Sequence, residues 1–176
     1  MKKAWQERAK QITCLVFDID GVLTDGSLYF SPTGDFMKSF YVQDGLGIEM
    51  ARRSGLKIAI LTARASEIVL KRAEDLKIDE IIQGCKNKGD GLEALSQKAG
   101  ISLDQMAYMG DDLIDLPAIL RAGISASPAG GVLEVQKQVD WVSDFSGGKG
   151  AVRQWIELIL QAQGKWEENI QFYLEQ

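Results

Sequence analysis

The chain has 176 residues, a net charge of −5 and no histidine. This length fits a single domain, and the acidic balance argues against a nucleic-acid partner, which needs a basic surface. The lack of histidine excludes Ser-His-Asp and Cys-His catalysis and His-ligated zinc, so acid–base chemistry falls to other side chains.

Cysteine content and hydropathy predict a cytoplasmic protein without a membrane partner. Cys14 and Cys85 are too few for a disulfide framework, and neither belongs to a C-x-x-C pair. Residues 1–11 are mixed and charged, without an apolar core of signal-peptide length. No apolar run reaches the roughly 18 residues that a membrane span needs.

Apolar runs alternate with segments of helical period along the chain, which predicts βαβ units around a mainly parallel sheet. The predicted helices begin after turn residues, and Ser66 is the predicted N-cap of the second one. The predicted strands are residues 12–17, 57–61, 80–82, 106–109 and 124–127, with a short sixth strand at 141–142. The predicted helices are residues 45–53, 66–76, 89–99, 113–121, 131–138 and 150–163.

Residues 27–42 interrupt this rhythm with Ser-Pro-Thr-Gly between alternating aromatic residues. This pattern predicts a β-hairpin with a four-residue turn, inserted after the first strand. The fold class is therefore predicted as α/β, with one doubly wound, Rossmann-like domain over residues 1–176. The amphipathic tail, residues 164–176, has no predicted structure.

Polar side chains follow four of the predicted strands, and the carboxyl ends of parallel strands line the crevice where ligands bind. We therefore expect these side chains to meet at one edge of the sheet. They are Asp18 and Asp20 after the first strand, Thr62 and Arg64 after the second, Lys88 after the third, and Asp111, Asp112 and Asp115 after the fourth.

The crowded carboxylates predict a magnesium site. Uncompensated acids raise one another's pKa, so their ionisation calls for a cation, and oxygen ligands without His or Cys select magnesium. The predicted ligands are Asp18, Asp111 and the backbone carbonyl of Asp20. Asp112 and Asp115 are predicted to lie behind them and to orient the neighbouring lysine or metal-bound waters.

The same residues predict hydrolysis of a phosphomonoester. Asp18 is the predicted nucleophile, because a carboxylate needs no deprotonation at neutral pH. Asp20 is the predicted general acid and base, since Gly21 permits a turn that carries it over the leaving oxygen. Thr62 and Lys88 are predicted to hold the phosphoryl oxygens.

Other interpretations remain open at this point. A D-x-D-G string is commonly a solvated turn, and Gly-Asp-Asp can be a turn before an acidic helix start; the joint order of the motifs favours catalysis. A receiver-type signalling module would place its acidic pair first and its acceptor on the third strand, which is not the order here. A non-catalytic subunit and a protein phosphatase also remain alternatives.

The four motifs resemble those of the haloacid dehalogenase superfamily: Asp18-Ile-Asp-Gly-Val, Leu61-Thr62, Lys88, and Gly110-Asp-Asp-Leu-Ile-Asp115. Within it, the strings Val42-Gln-Asp-Gly-Leu-Gly-Ile48 and Gly147-Gly-Lys-Gly-Ala-Val-Arg153 resemble phosphatases of 3-deoxy-D-manno-octulosonate 8-phosphate. This resemblance implies a Rossmann-like fold, Mg²⁺, a cytoplasmic homotetramer and a step in lipopolysaccharide precursor synthesis.

The resemblance also implies a set of substrate-binding residues. Arg64 favours this eight-carbon sugar acid over nine-carbon sialic-acid-type sugars, in whose phosphatases a Glu is expected at that position. Relatives often carry Arg where this chain has Gln43 and Lys149, so bidentate recognition of a substrate carboxylate or hydroxyl is expected to be weaker or shifted at these two positions. The implied set is Gln43, Asp44, Gly45, Thr62, Arg64, Lys88, Lys149 and Arg153.

The 25 residues between Thr62 and Lys88 are too few for a cap domain. We therefore expect a neighbouring chain to cover the active site through its hairpin or its tail and to exclude water. The alternative is that both sets of aromatic residues cover their own domain. The aromatic residues are Tyr29, Phe30, Phe36, Phe40 and Tyr41 in the hairpin, and Trp166, Phe172 and Tyr173 in the tail.

Overall fold

A computed structural model describes residues 4–175 as a sheet with helices on both faces. The strands are β1 (Cys14–Phe17), β2 (Tyr29–Ser31), β3 (Gly34–Met37), β4 (Lys57–Leu61), β5 (Glu80–Ile82), β6 (Met106–Met109), β7 (Ile124–Ser127) and β8 (Trp141–Val142). Six of them form a parallel sheet in the order β5-β4-β1-β6-β7-β8. This confirms the predicted α/β class and all six predicted sheet strands.

The helices are α1 (Trp5–Ala9), α2 (Val42–Arg53), α3 (Glu67–Asp75), α4 (Lys88–Ala99), α5 (Leu116–Ile119), α6 (Leu133–Gln136), α7 (Ala151–Ala162) and α8 (Trp166–Leu174). No helix within residues 4–175 has both the length and the apolar character that a membrane crossing requires. The helix predicted at 113–121 is instead a 3₁₀ turn, Leu113–Asp115, followed by α5. Ser66 does precede α3, but its hydroxyl makes no capping bond.

Two apolar layers cover the faces of the sheet, which explains why its strands are near-continuous hydrophobic runs. On one face, Phe17 and Ile60 belong to the core that includes Trp155 of α7. On the other face, Val16 and Leu61 belong to the core that includes Leu92 of α4. Successive residues of a strand point to opposite faces, so the alternation follows from strand geometry.

The hairpin is shorter than the predicted 27–42. Its paired strands β2 and β3 end at Met37, and the two residues between them are Pro32 and Thr33. Residue 42 already belongs to α2, which begins three residues earlier than predicted. Between β4 and β5 the structure has only α3, so this connection carries no cap domain.

The tail forms a helix, α8, that packs on its own chain. Asn169 is buried; its amide oxygen accepts a hydrogen bond from Arg53 at 2.8 Å, and its amide nitrogen donates to Ser54 Oγ at 2.7 Å. The Arg53 guanidinium lies 3.8 Å from the Phe172 ring centroid, and Trp166 packs against the core. These contacts agree with the alternative in which the tail covers its own domain.

Three tryptophans form a continuous cluster at the β8 end of the sheet. The fully buried Trp155 lies 5.3 Å from Trp5 and 5.2 Å from Trp141 between ring centroids. The rings of Trp141 and Trp155 are stacked within 9° of parallel. This cluster joins α1, β8 and α7, and α1 itself was not predicted from the sequence.

Candidate active site

The strand order brings three of the four motifs together. β1 lies between β4 and β6, so Asp18, Thr62 and Asp111 follow neighbouring strand ends. The chain leaves β1 towards β4 and later returns to β6 on its other side, and such a switch point opens a crevice beyond the strand ends. A cleft of about 220 Å³ lies there, lined by Asp18, Asp20, Gly26, Thr62, Ala63, Arg64, Asp111, Asp112 and Ile114.

Lys88 lies beneath this cleft, between two carboxylates. It is the first residue of α4 and is completely buried, and Asn87 caps the helix by accepting hydrogen bonds from two backbone amides. The Lys88 Nζ lies 2.6 Å from Asp18 Oδ2 and 2.5 Å from Asp115 Oδ1. Burial lowers the pKa of Lys88, but the two carboxylates outweigh burial and raise it, so the ammonium is charged.

Asp115 is held by four donors and has little freedom to bind anything else. One oxygen accepts hydrogen bonds from the Lys88 ammonium and from the Tyr108 hydroxyl, the latter at 2.6 Å. The other oxygen accepts hydrogen bonds from the backbone amides of Asp111 at 2.9 Å and Asp112 at 3.1 Å. A Cβ at Gly110 would lie 2.4 Å from the Asp115 carboxyl carbon, so the glycine of Gly-Asp-Asp admits this acid. Asp115 therefore orients Lys88 and the Asp111 backbone.

The acidic cluster has the composition of a divalent-cation site. Oxygens of Asp18, Asp111 and Asp115 lie within 4.8 Å of one another, and Lys88 pairs with two of these three carboxylates, Asp18 and Asp115. Burial, reinforced by Asp115, raises the pKa of Asp18 to about 6. Burial, Asp115 and Asp18 together raise the pKa of Asp111 to about 7. Each Asp115 oxygen already accepts from two donors, whereas each Asp18 oxygen has one partner, the Ile19 amide or Lys88. Asp18 and Asp111 are therefore the carboxylates with acceptor capacity left for a magnesium ion.

Gly21 brings Asp111 close to the loop after β1. It has a φ of +88°, and a Cβ there would lie 2.0 Å from Asp111 Oδ2. A larger residue would therefore both strain the backbone and displace Asp111. Asp20, one residue earlier, has an extended conformation, and the close approach of Asp111 to this loop fits a site that includes the Asp20 carbonyl.

Asp20 is paired with two cations from other segments. Its Oδ1 lies 2.5 Å from Lys38 Nζ, and its Oδ2 lies 3.6 Å from Arg64 Nε. Arg64 also lies 3.3 Å from Asp35 and 5.5 Å from the Phe30 ring centroid, both in the hairpin. The hairpin of the same chain therefore borders the cleft on the Arg64 side.

Thr62 and Asp112 occupy different depths at the cleft. Thr62 is buried directly after β4, and its hydroxyl accepts a long hydrogen bond from the Arg64 amide at 3.4 Å. Asp112 is exposed and caps the 3₁₀ turn by accepting from Leu113 at 2.7 Å. Of the two acids predicted to orient Lys88 or metal-bound waters, Asp115 is the one that contacts Lys88 within residues 4–175.

The five other residues implied by the resemblance do not belong to the described lining of the cleft. Asp44 is buried and accepts a hydrogen bond from the Arg153 amide at 2.9 Å, which links α2 to α7. The Arg153 side chain pairs with Glu157 at 2.5 Å and faces Trp166. The others are Gln43 and Lys149, which are exposed, and Gly45, which is buried.

Sequence reasoning missed two residues that contact the site, Lys38 and Tyr108. Lys38 lies in the connection after the hairpin and has no sequence signal, since it looks like any surface lysine. Tyr108 had a weak signal: it is a hydroxyl-bearing residue within an apolar strand next to Gly110-Asp111, and a buried tyrosine hydroxyl usually needs a partner.

Comparisons with known proteins agree with this geometry. A family model for haloacid dehalogenase-like hydrolases matches residues 80–156. The 3-deoxy-D-manno-octulosonate 8-phosphate phosphatase of Haemophilus influenzae is 41% identical over 160 residues, which cover 91% of this chain and 89% of that protein. The chain belongs to this phosphatase family. The family's member from Escherichia coli K12 is 39% identical over 161 residues, or 92% of this chain and 86% of the relative.

Solved structures of the phosphatase family share the fold over nearly the whole chain. The enzyme from Moraxella catarrhalis, crystallised with a magnesium ion, a phosphate ion and 3-deoxy-D-manno-octulosonate, has a TM-score of 0.94 and 40% identity. The alignment covers 98% of this chain and 99% of that one. The cobalt-bound enzyme from Haemophilus influenzae has a TM-score of 0.89 and 41% identity, over 90% and 93% of the two chains.

Proposed function

We propose that this chain is a magnesium-dependent phosphatase that hydrolyses 3-deoxy-D-manno-octulosonate 8-phosphate to the free sugar acid and phosphate. It would act in the synthesis of lipopolysaccharide precursors. The observation that carries the proposal is the convergence of Asp18, Lys88 and Asp111 at one sheet edge. The Moraxella catarrhalis relative, crystallised with magnesium, phosphate and the sugar acid, supports the choice of substrate.

Asp18 is the proposed nucleophile. An Asp18 oxygen forms a bond to phosphorus while the bond from phosphorus to the sugar oxygen breaks, which gives an aspartyl-phosphate. Its Oδ2 already lies 2.6 Å from Lys88, and the buried ammonium would stabilise negative charge on the transferring group. The Thr62 hydroxyl at the end of β4 is the proposed second donor to the phosphoryl oxygens.

Asp20 is the proposed general acid and base. It gives its proton to the departing sugar oxygen, then takes a proton from the water that attacks phosphorus and releases Asp18. Asp18, Asp111 and the Asp20 carbonyl would hold Mg²⁺, which neutralises phosphoryl charge when bound. Asp115 would hold the Lys88 ammonium in place, and Asp112 would orient the metal-bound waters.

Substrate recognition is proposed to involve Arg64 at the cleft and five residues outside it. Arg64 is 41% exposed in its side chain and lies beside Asp20, so it is available to the sugar acid. The other proposed contacts are Gln43, Asp44, Gly45, Lys149 and Arg153.

We propose a single-domain cytoplasmic protein that assembles as a homotetramer through its hairpins. Phe30 and Phe36 are 61% and 71% exposed on the two paired strands of the hairpin, and exposed apolar patches mark interaction surfaces. Their replacement by serine should lower the mass measured by light scattering. Leu120→Ser is the control, because Leu120 is 67% exposed on α5's C-terminal side. An unchanged mass in the double phenylalanine variant would reject the hairpins as the interface.

A contribution of the tail to a neighbouring site can be tested with two deletions. Removal of residues 165–176 takes away Trp166 and its core contacts, whereas removal of 171–176 takes away Phe172 and Tyr173 but keeps Trp166. If the tail covers a neighbouring site, both deletions should lower kcat/KM. Unchanged kcat/KM in the longer deletion would reject this part of the proposal.

The decisive experiment measures magnesium-dependent phosphate release from a panel of substrates. The panel contains the eight-carbon sugar acid phosphate, a nine-carbon sialic-acid-type phosphate and phosphopeptides. The first should have the highest kcat/KM, and Asp18→Asn should lower it by at least about 1,000-fold. A preference for the nine-carbon substrate would overturn the substrate assignment, and full activity of Asp18→Asn would overturn the mechanism.

A further inference from the structure

Lys38 has a buried side chain that no motif accounts for. It lies one residue beyond β3, and its side chain is only 3% exposed. Lysine is almost never fully buried unless it is paired. Its partner is Asp20, whose Oδ1 lies 2.5 Å from the Lys38 ammonium. A charge placed this deeply beside the proposed acid–base residue calls for an explanation in terms of that residue.

Asp20 needs an external partner because its own loop does not hold it. Within residues 4–175, no hydrogen bond from the loop after β1 to the Asp20 carboxylate is found, whereas Asp18 is fixed by the Ile19 amide at 2.7 Å and by Lys88. The loop continues through Gly21, in the left-handed region. The orientation of the Asp20 carboxylate is therefore set by the residues that reach it from elsewhere.

Among residues 4–175, Lys38 and Arg64 reach the Asp20 carboxylate, and they differ in distance and burial. Arg64 lies 3.6 Å away, is 41% exposed, and shares its guanidinium with Asp35. Lys38 lies closer, is buried, and has no other ion pair in the described part of the chain. An exposed pair at long distance contributes little orientation, whereas a short buried pair restricts both groups. Lys38 is thus the main constraint on where Asp20 points.

We infer that Lys38 is a positioning residue that holds the Asp20 carboxyl group over the leaving oxygen of the substrate. The inference rests on the proposed function. When the bond from phosphorus to the sugar oxygen breaks, the Asp20 proton moves to that oxygen and Asp20 becomes a carboxylate. The fixed Lys38 ammonium stabilises the charge that develops there, so it acts on the transition state more than on substrate binding.

The competing explanation is that Lys38 only anchors the base of the hairpin. The two explanations differ in their dependence on the leaving group. Nitrophenolate departs without a proton, whereas a sugar alkoxide needs one. Loss of positioning at Asp20 should therefore slow the sugar phosphate far more than p-nitrophenyl phosphate, while loss of a hairpin anchor should slow both alike.

The test compares kcat/KM for the sugar phosphate and for p-nitrophenyl phosphate in wild type, Lys38→Met, Lys38→Gln and Lys38→Arg. For both substrates, kcat/KM reports substrate binding and phosphoryl transfer to Asp18, the step in which the leaving group departs. We expect the two neutral variants to lose about 100-fold on the sugar phosphate and less than about 5-fold on p-nitrophenyl phosphate. The loss should lie in kcat, and Lys38→Arg should recover most of it. Lys137→Met, an exposed lysine after α6, is the control.

An equal loss on both substrates, or no loss on either, would overturn the inference. Thermal unfolding identifies any variant that fails to fold, and Lys38→Gln, which retains most of the side-chain length, decides if Lys38→Met does not fold. Failure of the proposed function gives a different result, because wild type itself would then release little or no phosphate from the sugar phosphate.

Discussion

Replacement of Lys88 by methionine should destabilise the protein in a pH-dependent way. Lys88 is fully buried between Asp18 at 2.6 Å and Asp115 at 2.5 Å. At an effective dielectric constant of about 20, each contact is worth on the order of 6 kcal/mol of Coulomb energy, most of which offsets desolvation. Loss of one member of a buried ion pair typically costs about 3–5 kcal/mol, and we expect a cost in this range at pH 7.5 without metal.

The pH dependence follows from the Asp18 proton. Burial raises the pKa of Asp18 to about 6 in the wild type, so above pH 6 this group is ionised in both folded and unfolded chains. Without Lys88 the folded variant keeps the proton to higher pH, while its unfolded chain has released it. Folded protein then binds more protons than unfolded protein, and stability falls as pH rises. The cost should therefore grow by about 1.4 kcal/mol per pH unit above pH 6.

Urea unfolding at pH 5.5 and pH 7.5, with EDTA present, measures this difference. Lys86→Met is the matched control, because Lys86 is exposed two residues earlier, and it should change stability by less than about 0.5 kcal/mol at either pH. A Lys88→Met cost that is equal at the two pH values, or below about 1 kcal/mol at pH 7.5, would refute the electrostatic account of this lysine.

Three further predictions concern the same edge of the sheet. Tyr108→Phe removes the 2.6 Å hydrogen bond to Asp115 and should cost about 1–3 kcal/mol in urea unfolding, because a buried charged acceptor loses a donor; no cost would contradict the bond. Gly21→Ala places a Cβ 2.0 Å from Asp111 Oδ2 and should weaken Mg²⁺ binding in calorimetry, whereas wild-type affinity would show that the loop tolerates the methyl group. Mg²⁺ affinity should fall as pH drops through 7 to 6, where burial lets Asp111 and Asp18 take up protons; a pH-independent affinity between 5.5 and 8 would exclude them as ligands.

Strand-end chemistry explains why much of the site could be predicted from the sequence. Asp18, Thr62 and Asp111 each follow a short apolar strand, and in a parallel sheet that position alone places a side chain at the ligand crevice. Lys88 was accessible in the same way, as the first residue of a helix after β5. In each case, local pattern and sheet topology point to the same place.

The residues that sequence reasoning missed are brought to the site by tertiary structure and not by a local sequence pattern. The direction of the hairpin decides that Lys38 reaches Asp20, and no periodicity encodes this direction. The end of the hairpin was also misplaced, because α2 extends forward to Val42 although its first residues lack a clear apolar period. The contact between Asp44 and the Arg153 amide likewise joins segments 109 residues apart, which no local pattern reveals.

The tryptophan cluster gives the protein an internal optical reporter of folding. Trp5, Trp141 and Trp155 lie in α1, β8 and α7, and none of them lines the cleft. The three indoles separate only when the N-terminal helix, the edge strand and α7 come apart, so a change in their fluorescence signals the loss of that whole end of the molecule. Events confined to the acidic cluster should leave the emission of these three tryptophans unchanged, which allows ion binding and global unfolding to be followed separately in one sample.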